Sequence, residues 1–136
     1  MELTIRDKVR KLLMEQEKPH LHFNEDGRFN KDGQNIVYMG DNPIVTFGVG
    51  EVGNIEVDGR NYPNSIMLRG GWNASEQKQG YSRLAIAFIF EKLPRIENLI
   101  LECRNGVYPV WVKLGGEQIS VRDSGGHPLR TLKIAR

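Results

Sequence analysis

The stretch that most constrains the fold of this chain covers residues 64–93, where a short apolar run, a polar segment and a longer apolar run follow one another. Residues 65–68, SIML, have the length and composition of a buried strand. Residues 84–90, LAIAFIF, present apolar side chains on every helical face, and a helix of that kind is buried on all sides. The sequence therefore predicts a strand, a loop and a central helix packed on a sheet.

The polar segment between the two apolar runs, residues 77–82 with the sequence QKQGYS, predicts an anion site. Gly80 stands where the helix should begin. The first backbone N–H groups of a helix have no partner inside it, and the helix dipole places partial positive charge there. A strand, a short loop and a helix that opens on glycine thus form a site suited to phosphate.

The composition is that of one soluble globular domain of 136 residues, with 26% charged and 39% hydrophobic residues. Nineteen basic against seventeen acidic residues give a net charge of +2, which argues against nucleic acid as a partner and requires any anion site to be local. The single cysteine, Cys103, excludes an intrachain disulfide and fits a reducing compartment. Because neither a signal peptide nor a membrane-spanning run is visible, we predict a cytoplasmic protein that does not cross a membrane.

The order of elements predicts a single domain over residues 1–136 of the α/β (α+β) class, a mixed, mostly antiparallel sheet with a buried crossover helix. An amphipathic helix is expected over residues 1–17 and antiparallel strands over residues 18–63, with Asp-Gly turns between them. Residues 96–103 read as an interior strand and residues 109–114 as a short helix, bounded by Pro109 and Gly115. Two further strands form a C-terminal hairpin over residues 120–136.

Two motifs in the first half of the chain suggest sites that their context does not support. Gly48, Gly50 and Gly53 have the spacing of a dinucleotide-binding loop, but a strand and not a helix follows them. His20 and His22 alternate onto one face of a strand, yet no third ligand stands at a recognisable spacing, so no metal site is predicted.

At the loop and the short helix the chain resembles the GNAT superfamily of N-acetyltransferases, as a divergent, short member. The pyrophosphate loop of that family has Gln or Arg, two residues, Gly, one residue, then Gly or Ala, and Gln77, Gly80 and Ser82 stand at those places. The family also has an Asn after its fifth strand and a short helix that ends in an aromatic residue, a few residues and Leu-Gly. Asn105, Trp111 and residues 114–115 are similar to that ending. The resemblance covers residues 65–119.

The resemblance implies a cofactor-binding core over residues 64–119 that binds acetyl-CoA, with its pyrophosphate on the backbone N–H groups of residues 78–82. It also implies that the strand before the loop bulges away from its neighbour and pairs with the pantetheine arm. Paired glycines in a strand mark a bulge or a close backbone approach. The implied cofactor-binding residues are Gly70, Gly71, Trp72, Gln77, Lys78, Gln79, Gly80, Tyr81, Ser82 and Asn105.

The chain departs from the family pattern at the positions that carry the chemistry. Trp111 stands where many members have a Tyr that protonates the leaving thiolate, and an indole cannot supply that proton. Tyr108 is the substitute acid that we expect. Residues 65–68 hold no carboxylate, so Glu102, Glu56 or a chain of waters is left as the general base, and Glu102 is our candidate. One helix precedes the first strands where the family usually has two, and that region builds the acceptor pocket.

Three functions remain open from the sequence. The first is an acetyl-CoA-dependent N-acetyltransferase acting on an amine of a small molecule, peptide or protein. The second is a GNAT-like domain that binds CoA or a protein without chemistry, and the third is an interaction module without a cofactor. Cys103 ends a strand near the expected thioester as either an acyl relay or a small buried hydrophobe, and the C-terminal strands leave an edge at which a homodimer could form.

Overall fold

A computed structural model describes residues 4–5, 20–75 and 80–136 of the chain. Residues 4 and 5 apart, the helix predicted over residues 1–17 lies outside the described residues. The described part contains the strands β1 (Leu21–Phe23), β2 (Gly33–Met39), β3 (Asn42–Val57), β4 (Arg60–Ala74), β5 (Asn98–Arg104), β6 (Gly116–Ser124) and β7 (His127–Ala135), and the helices α1 (Tyr81–Lys92) and α2 (Tyr108–Lys113).

The seven strands form one sheet in the order β1-β2-β3-β4-β5-β7-β6. Every neighbouring pair is antiparallel except β4 and β5, which run parallel. Parallel neighbours need a crossover connection, and α1 lies in that connection. The predicted fold class, a mixed and mostly antiparallel sheet with a crossover helix, is confirmed.

Helix α1 packs on the sheet through most of its surface. Its buried residues are Ala85, Ile86, Phe88, Ile89 and Phe90. They join one cluster with inward-facing residues of the strands, among them Phe47, Leu99 and Leu132. The expectation of burial on all sides needs one correction, because Arg83, Ala87 and Glu91 form an exposed stripe at a spacing of four residues. Within the described residues, no helix is both long enough and apolar enough to span a membrane.

Strand β4 bulges opposite Gly48 of β3. Val49 pairs with Leu68 and Phe47 pairs with Trp72, so one residue of β3 lies opposite three residues of β4 between these pairs. Gly70 and Gly71 absorb the excess length with φ values of 84° and 91°, which side-chain-bearing residues rarely adopt. A Cβ on Gly48 would lie 1.8 Å from the carbonyl oxygen of Arg69, so the two backbones touch there. The bulge predicted from Gly70 and Gly71 is confirmed.

The far end of the β3–β4 hairpin, residues 53–64, forms an arm that lies over the sheet face opposite α1. Asp58 at its tip accepts a hydrogen bond from the hydroxyl of Ser120 on β6. Lys133 of β7 places its Nζ 5.7 Å from the ring centroid of Tyr62. Since Leu132 and Ile134 face the α1 side, Lys133 faces the other. We call residues 53–64 the hairpin arm.

Candidate functional site

A groove opens between β4 and β5 where their pairing stops. The parallel ladder joins Ser65, Ile66 and Met67 to Asn98, Leu99 and Ile100. Beyond these three pairs both strands continue but separate, and they enclose a cavity of about 760 Å³. Its described lining comprises Met67, Leu68, Arg69, Gly70, Gly71, Trp72, Leu101, Glu102, Cys103, Arg104, Val107, Trp111, Arg122 and Leu129. We call this cavity the groove.

The bulge of β4 forms one wall of the groove. Gly70 and Gly71 both line it, as does Trp72, so three of the predicted cofactor-binding residues lie side by side there. A Cβ on Gly71 would come no closer than 3.9 Å to another group. The positive φ of this glycine, and not crowding, therefore accounts for the residue type.

Within the part of the chain that the structure describes, no side chain caps the first backbone amides of helix α1. Its N-cap, Gly80, has φ 71° and ψ 22° and contributes no side-chain cap. A Cβ added to Gly80 would meet nothing within 4 Å. Among the described residues the start of the helix is therefore open, as an anion site requires. Gln77, Lys78 and Gln79 lie outside the described residues, so their expected phosphate contacts stay predictions.

Trp72 connects the groove to the start of α1. Its indole lies between the rings of Phe47 and Trp111, with centroid distances of 5.4 Å and 5.6 Å. Its Nε1–H donates a hydrogen bond of 2.9 Å to Oγ of Ser82. Tyr81, the neighbour of Ser82, packs its half-buried ring against the core cluster. Of the predicted loop residues, Tyr81 thus offers its backbone amide and Ser82 its amide and its hydroxyl.

The candidate base Glu102 lines the groove. Its Oε2 is 3.3 Å from Nη2 of Arg122, and both side chains are largely exposed. An ion pair between exposed groups contributes at most about 1 kcal/mol, so the carboxylate remains free to exchange partners. The alternative carboxylate, Glu56, lies exposed on the hairpin arm and is not among the described residues of the groove lining.

The candidate acid Tyr108 lies beside the groove and not in its described lining. Its ring is half-buried, and the guanidinium of Arg130 stacks over it at 4.6 Å. Arg130 also donates from Nε to Oδ1 of Asn105 at 3.0 Å, and from Nη1 to Gln118. Arg130 thus holds Asn105 and Tyr108 together at the turn between β5 and α2. Val107 and the buried Trp111 reach the groove from this turn.

Cys103 contributes a buried thiol to the groove wall, with 5% of its surface exposed. Burial raises the pKa of this thiol, and the nearby charge of Arg130 offsets part of that effect. A thiol that keeps its proton is a poor nucleophile. The arrangement favours a small buried hydrophobe over an acyl relay.

Sequence reasoning does not identify three of the residues that shape the site. Gly48 belongs to the rejected dinucleotide spacing, although a glycine inside a strand also signals a close backbone approach. Gly50 lies against the side chain of Arg69, because a Cβ there would lie 2.3 Å from Cδ of Arg69. Arg130 carries no local signal, since its partners come from β6, α2 and the turn after β5.

Among the comparisons with known proteins, the comparison with solved structures finds similarity to this chain. No family model and no curated protein sequence matches the chain. Among solved structures, the aminoglycoside N(6')acetyltransferase of Legionella pneumophila is similar with a TM-score of 0.57 and 17% identity, over 94% of this chain and 72% of that one. The ribosomal-protein-S18-alanine N-acetyltransferase of Escherichia coli gives 0.52 and 14%, over 99% and 91%.

A third similar structure is a Bacillus subtilis acetyltransferase in complex with CoA, with a TM-score of 0.55 and 10% identity over 86% of this chain and 99% of that one. Identities this low speak for the shared backbone arrangement alone. The chain therefore has the fold of the GNAT acetyltransferases.

Proposed function

We propose that this protein binds acetyl-CoA in the groove and transfers the acetyl group to an amine. The observation that carries the proposal is the open separation of β4 and β5, together with a start of α1 that no described side chain caps. The three similar structures are acetyltransferases, and one of them holds CoA. This similarity supports the proposal by analogy of fold.

The backbone of the groove suits an extended cofactor arm. Where β4 leaves β5, the facing edges of both strands present backbone donors and acceptors that an extended amide chain can pair with. The pantetheine part of CoA contains such amides. Gly70, Gly71 and Trp72 would contact that arm, and Asn105 would lie near its thiol end. The diphosphate would sit on the amides of residues 78–82, with Lys78 adding charge.

The proposed reaction needs little covalent help from the protein. The neutral amine attacks the thioester carbonyl, so that a C–N bond forms and the C–S bond breaks. Glu102 takes the proton that the amine loses, and Tyr108 gives a proton to the leaving thiolate. Because the thioester is already activated, holding the amine beside it supplies much of the rate.

Calorimetric titration with CoA tests the binding part of the proposal. Gly80→Val fills the space at the start of α1, so we expect CoA affinity to fall by about tenfold or more. Gly27→Val is the matched control, since Gly27 also has a positive φ, of 76°, and open space around it, but lies in the turn after β1. Both variants place a valine at a positive φ, of 71° at residue 80 and 76° at residue 27. Absence of binding in the wild type, or equal affinity in all three proteins, would remove the proposal.

Thiol release from acetyl-CoA over a panel of amines tests the catalytic part. We expect release to rise with pH as the amine loses its proton, because the neutral form is the nucleophile. Tyr108→Phe should lower kcat more than it lowers CoA affinity, and Glu102→Gln should lower kcat because the base that takes the proton of the amine is lost. An unchanged kcat in either variant would remove that residue from its role.

One observation favours a second function, a GNAT-fold domain that binds CoA without chemistry. The buried Trp111 occupies the groove from α2, whereas Tyr108 stands outside its described lining. CoA binding with no thiol release for any amine on the panel would favour this alternative.

The proposal extends to the acceptor of the acetyl group, the cellular location and the oligomeric state. We propose an amine of a small molecule, peptide or protein as acceptor. We propose a cytoplasmic protein, since its one cysteine is free and buried. The strand β6 stands at an edge of the sheet, and a homodimer paired there is tested by sedimentation at several protein concentrations.

A further inference from the structure

We infer that Trp72 is a positioning residue, which aims the hydroxyl proton of Ser82 at the diphosphate of CoA. This inference rests on the proposed function and adds a side-chain donor to the backbone amides already described. The motif that the chain resembles has Gly or Ala at this place, where no such donor exists. The observation behind the role of Trp72 is the hydrogen bond of 2.9 Å between its Nε1 and Oγ of Ser82.

The chemistry of the two groups fixes the direction of this hydrogen bond. An indole N–H only donates, whereas a hydroxyl has one proton and two lone pairs. Ser82 must therefore accept from Trp72, which leaves its own proton available for another acceptor. Within the described residues that proton has no acceptor, because the bond to Trp72 is the one side-chain hydrogen bond that Ser82 makes there.

The donor is held in place from several sides. The indole of Trp72 lies between Phe47 and Trp111, and Trp72 is also paired through its backbone with Phe47. The two glycines of the bulge come directly before Trp72 and set its direction. A half-buried ring fixed in this way cannot turn its N–H elsewhere without leaving its aromatic neighbours.

Ser82, which accepts the hydrogen bond from Trp72, lies where an anion would bind. Ser82 is the second residue of α1, in the first turn, whose backbone amides are free of intrahelical partners. A hydroxyl that donates to an ionised phosphate oxygen makes a charge-assisted hydrogen bond, which is stronger than a neutral one. By fixing the hydroxyl before the ligand arrives, Trp72 lowers the ordering cost of that bond.

A double-mutant cycle on CoA affinity tests the inference. Ser82→Ala removes the hydroxyl, and we expect it to weaken CoA binding by about tenfold. Trp72→Phe keeps a ring in the same place and removes the N–H, and we expect a loss of about threefold because the hydroxyl is then free to rotate. In the Ser82→Ala background Trp72→Phe should weaken CoA binding less than it does in the wild type, because only the contact of the ring with the cofactor arm is then changed. Ser82→Thr, which retains a hydroxyl, should stay within about twofold of the wild type.

The cycle separates positioning from mere packing. If Trp72→Phe weakens CoA binding equally in the wild-type and the Ser82→Ala backgrounds, the ring acts through packing and the inference is wrong. It is also wrong if Ser82→Ala binds CoA as tightly as the wild type. Wild-type protein that does not bind CoA would instead overturn the proposed function, and this inference with it. Circular dichroism and the melting temperature of each variant establish that all four proteins of the cycle are folded.

Discussion

At the scale of single residues, the space around each glycine near the groove shows whether the fold requires a glycine at that position. Gly48 faces a carbonyl oxygen of the bulge, whereas Gly80 faces open space. The first glycine is required by the fold, and the second leaves room for a ligand. The distinction separates residues whose replacement should unfold the protein from residues whose replacement should block its groove.

Gly48→Ala is expected to destabilise the protein by at least about 2 kcal/mol, because its Cβ would lie 1.8 Å from the carbonyl oxygen of Arg69 and the bulge would have to move. The free energy of unfolding in urea measures this effect. Gly106→Ala is the control, since a Cβ there meets nothing within 4 Å, and it should change stability by no more than about 0.5 kcal/mol. Equal stability of the two variants would mean that β3 and β4 are not in contact at the bulge.

Cys103 provides a prediction on pH. Burial raises the pKa of its thiol above the ordinary value of 9.0, so the folded protein holds this proton to a higher pH than the unfolded chain does. The free energy of unfolding should therefore decline as the pH rises through 9.0 towards the folded pKa. Urea unfolding of the wild type and of Cys103→Val at about pH 7 and about pH 10, on either side of the ordinary thiol pKa, isolates this contribution. The same decline in both proteins would contradict it.

At the scale of elements, the part of the site that follows β5 is held together by Arg130. Its guanidinium reaches Asn105 and Tyr108 on one side and Gln118 on the other, so it joins β7, β6 and the turn before α2. The sequence predicted the strands and α2 individually, because proline, glycine and apolar spacing are local signals. It did not predict the residue that connects them, since that connection exists only in the folded chain.

Arg130→Ala is expected to cost about 1 to 2 kcal/mol of stability, because two side-chain hydrogen bonds and a cation–π contact are lost together. Arg122→Ala serves as the matched control. Arg122 pairs with Glu102, and both side chains are largely exposed, so the loss should stay below about 1 kcal/mol. Urea unfolding of both variants makes the comparison. A larger loss for Arg122→Ala would contradict the role given to Arg130.

At the scale of the whole molecule, the sheet has two differently covered faces. Helix α1 covers one face, and the hairpin arm lies over the other through Asp58, Tyr62 and their partners on β6 and β7. Local patterns predicted the crossover helix and the bulge, because an apolar heptamer and a Gly-Gly pair are visible in sequence. The arm could not be predicted in this way, since the tip residue and its partner Ser120 are 62 positions apart.

Ile55→Ala tests the packing of the hairpin arm. Ile55 is 2% exposed, so its truncation should cost about 3 kcal/mol. Val52, one residue before the arm, is 36% exposed and is the control, with an expected loss for Val52→Ala below about 1 kcal/mol. The free energy of unfolding of each variant decides the matter, and similar losses would mean that the arm does not bury Ile55.

The short ladder between β4 and β5 has a mechanical consequence. The sheet therefore consists of two parts, one of strands β1, β2, β3 and β4 and one of strands β5, β7 and β6. Three residue pairs at one end of β4 and β5 join the two parts. A molecule bound between the two parts would replace the missing backbone pairs and make the whole sheet more rigid. Amide hydrogen exchange in residues 68–72 and 101–104 should slow when CoA is added, and the melting temperature should climb with its concentration. A cofactor bound there would hold the two parts of the sheet together as well as take part in the reaction.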